Sequence, residues 1–158
     1  MSVIKVKEYL KKYNMDKRIV TFDTSSATVK EAADNLHCEE KRIAKTLSFT
    51  TKNGYILIVM AGDVKIDNKK YRDEFKEKAH MLPNDIVEEV TGHPVGGVCP
   101  FAINEEIKIY LDVSLKRFET VFPACGSNHN AIEISLEELE EVVPYVNWVD
   151  VCKEKDCQ

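Results

Sequence analysis

The stretch that most limits what this chain can become is IAKTLSFTTKNGYILIVMAG, residues 43–62. Two apolar runs flank Lys52-Asn53-Gly54, and Asn-Gly supplies the positive φ angles that a tight turn demands. The segment therefore reads as a β-hairpin. Around it, Val3, Val6, Leu10 and Tyr13 recur at helical spacing, so residues 3–14 read as an amphipathic helix. RIVTF (18–22) reads as a short strand. Thr28 with Glu31 three residues on forms a capping box that opens a helix over about 29–37.

Past the hairpin, residues 66–77 and 83–90 read as charged helices, with Pro83 acceptable in a first turn. Residues 107–112, 120–125 and 131–135 read as strands. Ser135 and Glu138 repeat the capping box ahead of LEELEEVV, which Pro144 ends, and YVNWVDVC closes as a strand or extended tail. No linker, repeat or composition break divides residues 1–158. Helices and hairpin-joined strands intermix without a strict βαβ rhythm, so the expectation is one α+β domain with a mixed sheet.

Composition removes several function classes. Of 158 residues, 44% are hydrophobic and 31% charged, ordinary globular usage rather than that of a disordered chain. The apolar runs are too short to span a bilayer, and the N-terminus MSVIKVKEYLKK lacks the apolar core of a signal peptide, which together read as a cytoplasmic protein. Cys38, Cys99, Cys125, Cys152 and Cys157 are odd in number and free of any CxxC pair, which argues against a disulfide framework and a zinc site. The tail CKEKDC is expected to carry plain surface cysteines. A net charge of −5 argues against holding nucleic acid by bulk electrostatics but leaves room for a local grip. Basic residues cluster in KVKEYLKKYNMDKR and KIDNKKYR, which also read as solvated helix faces.

Three features can carry chemistry. TGHPVGGVCPFA (91–102) packs Gly92, Pro94, Gly96, Gly97 and Pro100 into nine positions. The paired glycines let the backbone approach a ligand, and the prolines stiffen both flanks, as in a shaped loop presenting main-chain groups; a tight packing turn is the plainer alternative. Lys45 interrupts an apolar strand on the face shared by Ile43, Leu47 and Phe49, where an ammonium needs a partner or a cleft; a lysine snorkelling from an edge strand fits as well. ACGSNHNAIEIS places Gly126, Ser127, Asn128, His129 and Asn130 in a polar turn, a hairpin loop first and a ligand contact second. Cys99 or Cys125 with His93 or His129 could form a nucleophilic pair, but nothing in the spacing supports one. P-loop, GxGxxG, HExxH and GxSxG motifs do not occur.

Taken together, IAKTLSF, TGHPVGGVCPFA and CGSNHNAIEISLEEL resemble the YbaK/prolyl-tRNA synthetase-associated domain, over about residues 20–143. The resemblance implies a mixed, strongly twisted central sheet flanked by helices. It implies hydrolysis of misacylated tRNA, free-standing or as an insertion in prolyl-tRNA synthetase, with no metal or organic cofactor. Carried over, it makes Lys45 the essential lysine and Gly96 and Gly97 the catalytic pocket glycines. Gly92, Pro100, Gly126, Asn128 and His129 become substrate-binding positions. Ala102 stands where many members have glycine. The implied substrate is the 3′ aminoacyl end of mischarged tRNA, tRNA-Pro carrying Cys, Ala or another small residue, and a prolyl-tRNA synthetase is an implied partner; of the oligomeric states left open, a monomer is favoured. A non-catalytic protein sensing aminoacyl-tRNA on the same scaffold is the alternative from another class.

Overall fold

The computed structural model describes residues 2–155. In chain order it forms α1 (Ser2–Lys11), β1 (Val20–Thr21), α2 (Val29–Leu36), β2 (Ile43–Thr51), β3 (Gly54–Ala61), β4 (Val64–Ile66), α3 (Asn68–Phe75) and α4 (Asn84–Thr91). β5 (Lys108–Asp112), β6 (Thr120–Pro123), β7 (Asn130–Ala131), β8 (Ile134–Ser135), α5 (Leu136–Val142), β9 (Tyr145–Val149) and β10 (Cys152–Glu154) follow. This is the expected α+β class with a mixed sheet.

The hairpin is the centre of the molecule. β2 and β3 pair antiparallel from Ala44↔Ala61 to Thr51↔Gly54, and the six-stranded sheet runs β8-β6-β2-β3-β5-β9. β6 joins β2, β5 joins β3 and β9 joins β5 in parallel, while β8 joins β6 antiparallel. From Ile56 to Ala61 no residue is more than 5% exposed, as the continuous apolar run of a strand covered on both faces requires. At the turn the positive φ falls on Gly54 (+126°) and not on Asn53, so only one of the two expected residues leaves the ordinary region.

Both capping boxes form, Thr28 with Glu31 and Ser135 with Glu138. α1 buries Val6 and Leu10, yet it ends at Lys11 rather than 14, because Asn14 turns left-handed (φ 61°) and the Met15 N–H closes onto the Leu10 carbonyl. The helix expected over 66–77 is shorter because the Asp67 carboxylate accepts from the Lys69 and Lys70 N–H groups and caps it. The residues before that cap form β4, which pairs with β10. That ladder corrects the expectation of surface cysteines in the tail: Cys152 is buried at 6% exposure, its Sγ 3.5 Å from Met60 Sδ. Cys157 lies outside the described residues. The strand expected over 131–135 splits, β7 pairing with β1 and β8 with β6.

Arg18 pins the entry to β1 onto α5 through a two-pronged contact with Glu138 (2.8 and 3.0 Å) and the Glu133 carbonyl (2.7 Å). This guanidinium, aided by the Ser135 amide, holds the Glu138 carboxyl down at about 2. A depressed carboxylate contributes stability above its unfolded value of 4.5 and loses it as pH falls toward 2. Arg18→Gln is expected to cost about 0.5 kcal/mol at neutral pH, since the pair is a third exposed. It should also flatten that acid limb in a Tm-versus-pH series.

Candidate functional site

β6 pairs with β2 only at Ile43 and Ala44, and beyond Ala44 the two strands part. A cavity of about 270 Å³ fills the opening, just below the usual range of small-ligand pockets (~300–1,000 Å³). Residues 43–48 of β2 form one wall. Val29 and Ala32 of α2, Phe122 and Ala124 around β6, and Val87 of α4 give it apolar sides. Ser26, Thr28, Gly96, Asn130 and Ala131 complete the rim and floor, with Met81 and Val95 exposed at the mouth. The hydroxyls of Ser26 and Thr46 are buried and make no hydrogen bond to the described protein.

The glycine-rich loop is held from behind. His93 is fully buried; its Nε2 meets the Phe101 carbonyl at 2.8 Å and its Nδ1 the Ser2 hydroxyl at 2.5 Å, so it staples the loop to α1. Burial pushes its pKa down, consistent with a neutral ring that donates from Nε2 and accepts at Nδ1. Gly92 (φ 79°) caps α4, its N–H on the Glu88 carbonyl, and Pro100 is buried; neither lines the cavity. Gly96 (φ 88°) does line it. Gly97 lies one step behind, its N–H bound to the Pro94 carbonyl at 2.9 Å, so that amide is not available to a ligand. A side chain at Gly97 would meet the Ser127 nitrogen at 2.7 Å, which shows how closely this loop and the 126–130 turn approach.

Ala102 takes a left-handed conformation (φ 58°), the one glycine adopts freely. Ala102→Gly is expected to stabilise the protein by up to about 1 kcal/mol by relieving that strain, read as a raised denaturant midpoint.

Cys99 Sγ comes within 3.5 Å of His93 Nε2, so the structure does bring one Cys–His pair together. It is sealed in the core. Burial lifts the Cys99 thiol to about 12, far from a thiolate at neutral pH. Among the described residues no cluster of His, Cys, Asp or Glu could hold a metal ion.

Lys45 forms part of the cavity wall. Its ammonium reaches a partner, donating to the Val64 carbonyl at 2.5 Å. Burial, and then the neighbouring Lys155 ammonium, push its pKa down to about 8. It forms no salt bridge among the described residues.

The 126–130 turn works chiefly through its main chain. The Ser26 N–H donates to the Asn128 carbonyl (2.5 Å) and the Phe22 N–H to the His129 carbonyl (2.6 Å), which carries Ser26 to the cavity. Gly126 (φ 87°) packs against Ser2, and Asn128 Oδ1 meets His129 Nδ1 at 2.5 Å; none of the three lines the cavity. The residue of this turn that does is Asn130, its amide locked by both main-chain groups of Cys125 (3.0 and 3.1 Å). Sequence reasoning placed Asn130 in the polar turn without singling it out, and missed Ser26 and Thr46; the hydroxyl among apolar neighbours in AKTLSF was the available signal for Thr46.

This fold, with a small cavity at a parted strand edge beside a braced glycine loop, has known relatives. The family model of the aminoacyl-tRNA editing domain matches residues 23–142, and the chain belongs to that family. YwhH of Bacillus subtilis, a protein without an assigned function, is 51% identical over 156 residues, spanning 98% of this chain and 99% of its own. EbsC of Enterococcus faecalis, named as a candidate Cys-tRNA(Pro)/Cys-tRNA(Cys) deacylase, is 26% identical over 71% of this chain and 70% of its own. A crystal structure described as a candidate trans-editing enzyme for prolyl-tRNA synthetase superposes with a TM-score of 0.85 at 25% identity, over 98% of each chain. Among the described residues no helix is long and apolar enough to cross a membrane.

Proposed function

We propose that this chain is a trans-acting aminoacyl-tRNA deacylase that hydrolyses the ester of mischarged tRNA-Pro carrying Cys, Ala or another small residue. The observation that carries the reading is the cavity: about 270 Å³ with apolar sides is large enough to take a small aminoacyl group. Family membership and the names of EbsC and the trans-editing structure point the same way. The chemistry is modest. Water adds to the ester carbonyl, the acyl C–O bond breaks, the tRNA keeps its hydroxyl, and the amino acid leaves as a carboxylate. Such an ester needs placement and stabilisation of one developing charge more than a strong nucleophile. Lys45, whose ammonium donates to the Val64 carbonyl, can exchange that partner for an anionic oxygen of the substrate. A second sieve is useful because one methylene separates amino acids in a synthetase pocket by only ~1–3 kcal/mol.

α1 supports a local grip on RNA despite the net charge of −5. Lys5, Lys7, Lys11 and Lys12 are exposed and form no salt bridge among the described residues. This helix buttresses the glycine loop through Ser2 and His93. Changing the four lysines to glutamine is expected to raise KM for charged tRNA several-fold. It should also flatten the dependence of log(kcat/KM) on log[salt], because fewer counterions are released.

The test is a panel of tRNA-Pro charged with Cys, Ala, Ser, Thr or Pro. Loss of one or more small-residue esters with Pro-tRNA spared supports the reading and names the substrate. Survival of every ester, with retained binding, would replace it with a non-catalytic aminoacyl-tRNA sensor.

A further inference from the structure

Along an extended strand, successive residues turn their main-chain N–H and C=O groups to opposite edges. The Leu82 N–H donates to the Ser48 carbonyl (3.1 Å) and the Thr50 N–H to the His80 carbonyl (2.8 Å), so Ser48 and Thr50 face away from β3. The β2–β3 register is unbroken from Ala44 to Thr51, which places Thr46 on that same outer edge. β6 serves this edge only at Ile43 and Ala44, and residues 80–82 serve it only at Ser48 and Thr50. Between them the Thr46 N–H and C=O have no partner in the described protein, although Thr46 is only 9% exposed. They lie where the cavity opens, with Ala124 and Ala131 across the gap. Buried main-chain groups are rarely left unpaired, because each costs the desolvation of a strong donor or acceptor.

The ligand that suits such an edge carries one donor and one acceptor at the spacing of a strand residue. An α-aminoacyl ester has that pair, its ammonium and its carbonyl. We propose that the aminoacyl group docks as a missing strand residue, its α-ammonium donating to the Thr46 carbonyl and its ester carbonyl accepting from the Thr46 N–H. This deepens, and rests on, the editing reading. It moves the main-chain donor from Gly97, whose N–H is occupied, to β2. The same N–H then faces the oxygen on which charge develops during hydrolysis. Main-chain pairing is blind to the side chain, so selection falls to the walls at Val29, Ile43, Leu47 and Phe122, which limit size. It also demands an L-residue with a free α-ammonium.

The test uses non-hydrolysable amides of 3′-amino-3′-deoxyadenosine, measured by calorimetry. The L-alanyl amide should bind at least tenfold more tightly than the propionyl amide, which lacks the ammonium, or the D-alanyl amide. On the protein, nonsense suppression can replace residue 46 by the α-hydroxy analogue of valine, which against a Thr46→Val reference exchanges only the N–H for an ester oxygen. Binding of the L-alanyl amide should fall tenfold or more. Phenyllactate at position 49 removes an N–H turned toward β3; it should lower Tm more than the change at 46 and spare binding. Equal binding of the three amides, or an ester at 46 that binds like the Thr46→Val reference, overturns the proposal. Hydrolysis of charged tRNA is scored separately: sensitive binding without hydrolysis keeps the docking mode and removes the deacylase reading, and hydrolysis with insensitive binding does the reverse.

Discussion

Lys45→Met is expected to slow hydrolysis of the preferred small-residue ester by about 10²–10³-fold, the usual effect of losing one group that stabilises developing charge, while Tm stays level or rises. The two halves of this result have one cause. Burial, then the Lys155 ammonium, hold the Lys45 pKa near 8, so the folded protein binds that proton less well than the unfolded chain does. A charged lysine at neutral pH is therefore a cost that methionine lacks. For a lysine lowered in this way, stability rises with pH between about 8 and the unfolded value of 10.5, because only the unfolded state still holds the proton there. That rise should vanish in the variant. Activity that needs the ammonium should fall as pH passes about 8, once the uncatalysed hydrolysis is subtracted. A variant that melts lower and still hydrolyses would make Lys45 a structural tie to Val64 and nothing more.

Gly97→Ala is expected to be the most damaging small substitution near the site. Its Cβ would lie 2.7 Å from the Ser127 nitrogen and 2.9 Å from the carbonyl carbons of Gly126 and Ser127, all main-chain atoms that no rotamer can move aside. Overpacking of this kind costs about 1–3 kcal/mol, a fall in Tm of about 2–12 °C at this chain length. Hydrolysis should fall further than stability explains, because separating the loop from the 126–127 turn also moves Gly96, which lines the cavity. Thermal denaturation beside single-turnover rates at a temperature where both proteins are folded separates the effects. Unchanged Tm and rate in Gly97→Ala would show that the two loops do not lie this close.

What the sequence made legible was local. The hairpin and both capping boxes follow from spacing within one segment, and all appear where expected. The family resemblance rested on such segments too, and the 23–142 match covers them. What escaped was decided by distant partners. Ile66 reads as the start of a helix, and Val64 and Lys65 fall in no expected element, because nothing nearby announces that Cys152–Glu154 returns to pair with them. The turn at 126–130 offered Asn128 and His129 as ligand groups, yet Asn130 is the one at the cavity, since β1–β7 pairing sets which residues of the turn face inward. Gly97 looked like a pocket residue because a glycine needed for loop–loop contact and one needed for ligand contact are the same letter. Ala102 shows the reverse case, a left-handed position whose demand for glycine is visible only in its φ angle.

The most direct measurement is single-turnover hydrolysis of Ala-tRNA-Pro and Cys-tRNA-Pro against Pro-tRNA-Pro, with protein in excess over tRNA. At least one small-residue ester is expected to be lost rapidly above the uncatalysed rate, with Pro-tRNA-Pro unchanged and the difference abolished in Lys45→Met. Equal survival of all three esters at saturating wild-type protein would contradict the deacylase reading.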